Sequence, residues 1–171
     1  MNIKGKDMTV PCAEGLINIR VGAIIQKGNK ILLVGDDVSE GYLFTVGGRI
    51  QFGETSEEAM VREVFEETGV KMEIDRLGFI QENYFFADTP QKEDKLVYEI
   101  DYYYYMKVPE DFEPSSMEFM EEEQKAQLHW VDIDGPQMYY PTFFREELRK
   151  PQQDVKYILT DERPKQRPFQ Y

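Results

Sequence analysis

The sequence predicts an α+β domain, or its layered α/β/α form, on three observations. Runs rich in β-branched and aromatic residues precede, separate and follow two helical patterns. The first helical pattern carries its own start and stop signals. The chain has 171 residues, enough for one sizeable core, so residues 1–171 are expected to form a single domain. Its N-terminal segment and C-terminal tail are expected to be mobile.

The first strand runs from Ile17 to Gln26, and Lys27-Gly28-Asn29-Lys30 turns the chain into its partner, Ile31 to Val34. Arg20 is a cation inside that first strand. An outward place on a sheet edge and a contact to a substrate phosphate both stay open for it. Gly35 to Gly41 is a polar loop and Tyr42 to Val46 a short strand. Gly47-Gly48-Arg49 follows as a loop, whose adjacent glycines let a ligand approach the backbone.

Beyond the first helix, Lys71 to Phe86 reads as a strand with an interruption at Gly78, and Leu96 to Val108 as its long partner. Ala87 to Lys95, with Pro90, is an extended hairpin connection. Strand alternation sends two of the four tyrosines Tyr102 to Tyr105 into the core and two to a surface or pocket. Pro109 to Glu123 is acidic, lacks Lys and Arg, and reads as a long loop. Leu128 to Ile133 is the next strand, with Trp130 in the core. Pro141 to Arg149 is a second helix with Pro141 in its first turn, and Val155 to Leu159 is a last short strand.

A net charge of −13 repels polyanions, so a nucleic-acid polymer or an anionic membrane is not an expected partner. No apolar run is long enough to span a bilayer, and the first residues lack the apolar core of a secretory signal. The single cysteine, Cys12, cannot form an internal disulfide, which fits a reducing cytoplasm. His129 is the only histidine and is read as structural.

The central helix is electrostatically odd. Thr55 with Glu58 forms a capping box and Gly69 is a C′ residue, so Glu66 and Glu67 fall in the last turn. Anions there oppose the helix dipole, at a cost of roughly 0.3–1 kcal/mol each. Glu63, Glu66 and Glu67 share one face at i, i+3, i+4, which adds mutual repulsion. Val61, Val64, Phe65 and Thr68 lie opposite and are expected to face the core. A hard divalent cation would relieve both penalties.

The pattern extends in both directions. Gly48, Glu54, Arg62-Glu63, Val64, Glu66-Glu67, Gly69 and Val70 match every fixed position of G-x5-E-x7-R-E-U-x-E-E-x-G-U, with U a bulky aliphatic residue. The chain therefore resembles the Nudix hydrolases, the MutT-like family. Val46 departs from the proline that many relatives carry before the glycines, and Tyr98 stands where some bacterial members have histidine.

The resemblance implies a mixed sheet sandwiched between helices, with the box helix packed on it. It implies hydrolysis of a pyrophosphate bond in a nucleoside diphosphate linked to another moiety, by water activated at Mg²⁺ or Mn²⁺. Gly48 (by its carbonyl), Glu63, Glu66 and Glu67 would hold metal. Glu66 and Glu67 would be catalytic, with Glu123, before Trp130, as a base. Glu54 is read as the partner of Arg62. Arg20, Arg49, Glu82 and Glu99 are the candidate substrate contacts. A non-catalytic nucleotide-sensing module is the alternative. The expected partner is a small phosphorylated nucleotide, and a homodimer stays open.

Overall fold

The computed structural model describes residues 5–35, 41–86, 95–114, 118–121 and 124–164. In chain order its elements are β1 (Thr9–Pro11), β2 (Gly15–Ile24), β3 (Gln26–Lys27), β4 (Lys30–Gly35), β5 (Leu43–Thr45), β6 (Gly47–Arg49), α1 (Ser56–Thr68), β7 (Glu73–Phe86), β8 (Leu96–Lys107), β9 (Glu118–Glu121), β10 (Gln124–Asp132), β11 (Tyr139–Tyr140), α2 (Phe144–Glu147) and β12 (Lys156–Asp161). One sheet has the order β1-β2-β8-β7-β12, with β6 also paired to β2. The other has the order β11-β5-β4-β10-β9, with β3 on β4. The first sheet is mixed: β2 runs parallel to β8, β7 antiparallel to β8, and β12 parallel to β7.

Alternation on the long strands builds two cores. Val21, Ala23, Tyr104 and Met106 join Ala59, Met60 and Val64 of α1 on one side. Ile24, Phe79, Tyr103 and Tyr105 join Phe144 and Leu148 on the other. The sheet thus lies between α1 and α2, as the layered form requires. Among the described residues no helix is long and apolar enough to cross a membrane.

Several expectations change in detail. The Gly47–Arg49 segment is a short strand rather than a loop, bonded to β2 through Val21↔Gly48 and Arg20↔Arg49. Arg20 is therefore interior to the sheet, not on its edge. Three of the four tyrosines, Tyr103, Tyr104 and Tyr105, are buried, because β8 is central and covered on both faces. Part of the acidic stretch forms β9, paired with β10, which begins four residues before the expected strand. Edge pairing there runs through backbone groups, which composition does not report. The interruption at Gly78 is a register shift between Leu77 and Phe79. A Cβ on Gly78 would meet the Tyr105 ring at 2.5 Å, so glycine makes room for that ring.

The second helix is one turn, Phe144–Glu147, and lacks a side-chain cap. The buried arc of α1 is also turned from its expected place. Ala59, Met60, Val64, Glu67 and Thr68 are buried, while Phe65 is 45% exposed. The glycines of β6 let the helix approach through its acidic side, so that side enters the interface.

Candidate active site

The start of α1 forms as its sequence demands. The Thr55 hydroxyl accepts from the Glu58 N–H at 3.2 Å, and the Glu58 carboxylate accepts from the Thr55 N–H at 2.8 Å. Gly69, at φ 71°, ends the helix in the left-handed region, where its N–H bonds the Phe65 carbonyl. These caps fix where the helix begins and ends.

Gly48 and Glu63 meet closely. A Cβ on Gly48 would lie 2.6 Å from Glu63 Oε1 and 2.8 Å from Oε2, so the missing side chain is the cradle for this carboxylate. Gly47, at φ 146°, donates its N–H to Glu67 Oε1 at 3.1 Å. Glu67 is buried, while the Glu66 side chain is 55% exposed. Two of the three helix acids are thus set against the glycine strand, and the third stands at the rim.

Arg62 organises the acids. Its Nε donates to Glu54 Oε2 at 3.0 Å and its Nη2 to Glu54 Oε1 at 2.5 Å. Nη1 donates to Glu63 Oε1 at 2.6 Å and to Glu66 Oε2 at 3.1 Å, and Nη2 also reaches the Arg49 carbonyl at 3.1 Å. The Glu54–Arg62 pairing expected from sequence is present. Burial works against the charged form of Glu54, but the Arg62 hydrogen bonds and the Gln51 N–H outweigh it and lower its pKa. Burial dominates at Glu63 and raises its pKa, against the pull of Arg62.

The donor chemistry at Gly48, Glu63, Glu66 and Glu67 fits a hard divalent cation, and the Gly48 cradle brings backbone and carboxylate together. In this arrangement Glu63 and Glu66 bond Arg62, and Glu67 bonds the Gly47 N–H. Among the described residues no three His, Cys, Asp or Glu side chains come together as a cation site.

The candidate substrate residues divide. Strand register places Arg20, Arg49 and Glu99 on one face: Arg20 lies opposite Arg49 on β6 and Asp101 on β8, and Asn18 lies opposite Glu99. Arg20 Nη1 is 3.8 Å from Glu99 Oε2, and its charge also acts on Glu63. Arg49 is 3.8 Å from Asp7. Glu82 lies opposite Ile100, on the other face, which is the face of α1. There it accepts hydrogen bonds from Tyr98 at 2.9 Å and Tyr157 at 3.2 Å. Burial, then the Glu82 hydrogen bond, pushes the Tyr98 pKa up to about 12. Glu82 and Glu99 therefore cannot line one face together. Glu123 lies outside the described residues.

One buried group was not singled out in the sequence. Asp101 sits beside Glu99 on the Arg20 face and is buried, as are Asn18, Gln81 and Tyr103. The signal was an i, i+2 pair of carboxylates in a strand, which alternation puts on one face. A cavity of about 850 Å³ on the flank of α1 and another of about 330 Å³ beside Arg76 are lined by neither Gly48, Arg20, Arg49 nor Glu99.

A family model described as NUDIX domain matches residues 17–166. Over 54 residues the chain is 46% identical to an ADP-ribose pyrophosphatase of Methanocaldococcus jannaschii, a match covering 30% of this chain and 32% of that protein. The matched stretch thus spans about a third of the length of that curated relative. The crystal structure of a MutT NUDIX hydrolase from Burkholderia pseudomallei superposes with a TM-score of 0.51 at 22% identity, over 74% of this chain and 92% of that one. A MutT protein from Bacillus halodurans gives a TM-score of 0.51 at 21% identity, over 68% and 69%. Identities this low speak for the fold alone. The family match runs from β2 past β12 and takes in the whole glycine-and-glutamate box, so this chain belongs to the NUDIX domain family.

Proposed function

We propose that this chain is a cytoplasmic, divalent-metal-dependent hydrolase that cleaves the pyrophosphate bond of a nucleoside diphosphate linked to another moiety. ADP-ribose is the first substrate to test, since a relative that matches part of the chain is an ADP-ribose pyrophosphatase. The observation that carries the reading is the seating of Glu63 against Gly48 and of Glu67 against Gly47. Together with Glu66, these groups would hold Mg²⁺ or Mn²⁺. When bound, the ion neutralises diphosphate charge and makes water a stronger nucleophile.

The chain's own part is to place donors and balance charge. Glu63 and Glu66 would give up Arg62 for the ion, while Glu54 keeps the guanidinium in place. Arg20 and Arg49 supply positive charge for the substrate phosphates beside Glu99. Substitution at phosphorus by water needs no protein nucleophile, so the exposed Cys12 has no role in it.

Release of AMP or phosphate from ADP-ribose, nucleotide sugars, nucleoside triphosphates and dinucleoside polyphosphates, with Mg²⁺ and with chelator, tests the reading. Turnover should require the metal. Glu67→Gln should lower kcat by about 10²-fold or more while leaving the far-ultraviolet spectrum unchanged. Wild-type turnover in Glu66→Gln and Glu67→Gln alike would overturn the site.

A second reading, a nucleotide-sensing module, has one observation in its favour: Glu63 and Glu66 both bond Arg62. Saturable binding of ADP-ribose without turnover, across the same metals, would select it.

A further inference from the structure

The strand face turned away from α1 holds a second pair of carboxylates. Glu99 and Asp101 are two residues apart on β8, so they point to the same side of the sheet. Both are more than nine-tenths buried. Asn18 Nδ2 donates to Glu99 Oε2 at 3.1 Å, and Arg20 Nη1 is 3.8 Å from that same oxygen. Asp101 lies opposite Arg20 across the β2–β8 pairing, as Glu99 lies opposite Asn18. Two neighbouring carboxylates buried on one face beside Arg20 are costly to keep both ionised, and one proton between them removes that cost. We propose that Asp101 and Glu99 share one proton, and that the pair thereby positions Arg20, no longer outweighed by two negative charges, to bind a phosphate of the substrate.

Charge counting gives the reason. With both carboxylates ionised, the face carries two negative charges against Arg20 and repels a diphosphate. With one proton held, Glu99 and Arg20 balance, and the outer part of the Arg20 side chain, 34% exposed, can meet an anion. Burial and then the neighbouring Glu99 raise the Asp101 pKa well above the usual carboxylate range, which agrees with a retained proton. From β2 the pair faces Asn18 and Arg20, from β7 Gln81 and Asn83, and on β8 Tyr103. Arg49 of β6 lies opposite Arg20, and Glu63 of α1 feels the Arg20 charge. Tyr103 donates to Gln81 at 3.1 Å, and its own pKa is raised by burial and then by the two carboxylates, so it stays neutral.

The phosphate role of Arg20 rests on the hydrolase reading above; the shared proton does not. Carbon-13 carboxyl spectra of the full chain read that proton directly, with Asp101→Asn and Glu99→Gln giving the assignments. One carboxyl of the pair should remain protonated through pH 7. Both ionised at pH 6 would overturn the proposal. Asp101→Asn should also raise the thermal midpoint, and by more at pH 8 than at pH 5, because the unfolded carboxyl releases its proton above about pH 4. An equal shift at both pH values counts against a shared proton.

With ADP-ribose as substrate, the wild-type KM should climb about threefold or more over the pH range in which the carbon-13 spectra show the pair losing its proton. Asp101→Asn, which can still donate to Glu99, should keep KM within about twofold of wild type at pH 7 and flatten that climb, whereas Asp101→Leu should raise KM about tenfold. A KM profile identical in wild type and Asp101→Asn removes the positioning role. A wild type that hydrolyses nothing in the panel sinks the hydrolase reading and the phosphate role with it, while the spectra and midpoints still decide the proton.

Discussion

Two clusters in this molecule set carboxylates around one arginine, and they solve the same problem differently. On α1, Arg62 faces Glu54, Glu63 and Glu66 at the surface of the box. Its planar fork offers five N–H groups in fixed directions, so one cation can satisfy several acids at once. On the other face of the sheet, Arg20 of β2 faces Glu99 and Asp101 of β8, with its Nη1 3.8 Å from Glu99. Two carboxylates there share one nearby guanidinium, and on the proposal above a proton makes up the difference. On the proposals made above, the first cluster exchanges its cation for a metal ion, and the second keeps its charge low.

Breaking the first cluster should have the largest effect on stability. Arg62→Ala leaves the mostly buried Glu54 and Glu63 carboxylates without their donor and removes the bond to the Arg49 carbonyl. The side chain is 22% exposed, so the cost should fall somewhat below that of a fully buried pair, at about 2–4 kcal/mol. Urea denaturation measures it. Asp101→Asn should shift the midpoint the other way. If the two substitutions moved stability in the same direction, the distinction between the clusters would fail.

Gly48→Ala attacks the first cluster from below. The new Cβ would sit 2.6 Å from Glu63 Oε1, and the carboxylate must move to admit it. Overpacking of this kind costs about 1–3 kcal/mol. The Glu63–Arg62 bond should be lost with it, which a crystal structure of the variant would show. A structure with Glu63 unmoved would mean that the strand, not the acid, had yielded.

Much of this was legible in the sequence, and the reasons differ by residue. Thr55, Glu58 and Gly69 act through their immediate neighbours, so the bounds of α1 could be read directly. The Glu54–Arg62 pair spans two turns of one motif and was equally accessible. Phe65 was misplaced because a helical wheel assigns the core to the most apolar side, whereas the glycines of β6 allow α1 to seat on its acidic side. The separation of Glu82 from Glu99 depends on the β7–β8 register, Glu82↔Ile100 and Asn83↔Glu99, which no local pattern fixes. The burial of Asp101 needed the same register together with β2 on the far side.

A smaller change sharpens the comparison through pH. Glu54→Gln removes charge-assisted bonds to Arg62 and should cost about 1–2 kcal/mol at pH 7. The Glu54 pKa is lowered in the fold, despite burial, by its Arg62 bonds. Its contribution is therefore fully present above the unfolded carboxyl value, about 4.3, and is lost as pH falls through the lower folded value. The penalty of the substitution should shrink on acidification. Glu63, whose pKa is raised by burial, should show the reverse slope on Glu63→Gln, with its ionised form costing more as pH rises. Parallel slopes for the two variants would mean that Arg62 does not discriminate between them.

The smallest expected effect isolates the helix from both clusters. Thr55→Ala removes the hydroxyl that accepts from the Glu58 N–H and leaves one donor of the first turn to water. Caps of this kind are worth about 1 kcal/mol. Neither Arg62 nor Arg20 bonds Thr55, so the cost should be independent of pH between 5 and 8, and the KM for ADP-ribose should not move. A Thr55→Ala variant with an altered KM would show that the register of α1 against β6 depends on its N-terminal cap. The seating of Glu63 on Gly48 would then be a property of the whole helix rather than of the glycine strand beneath it.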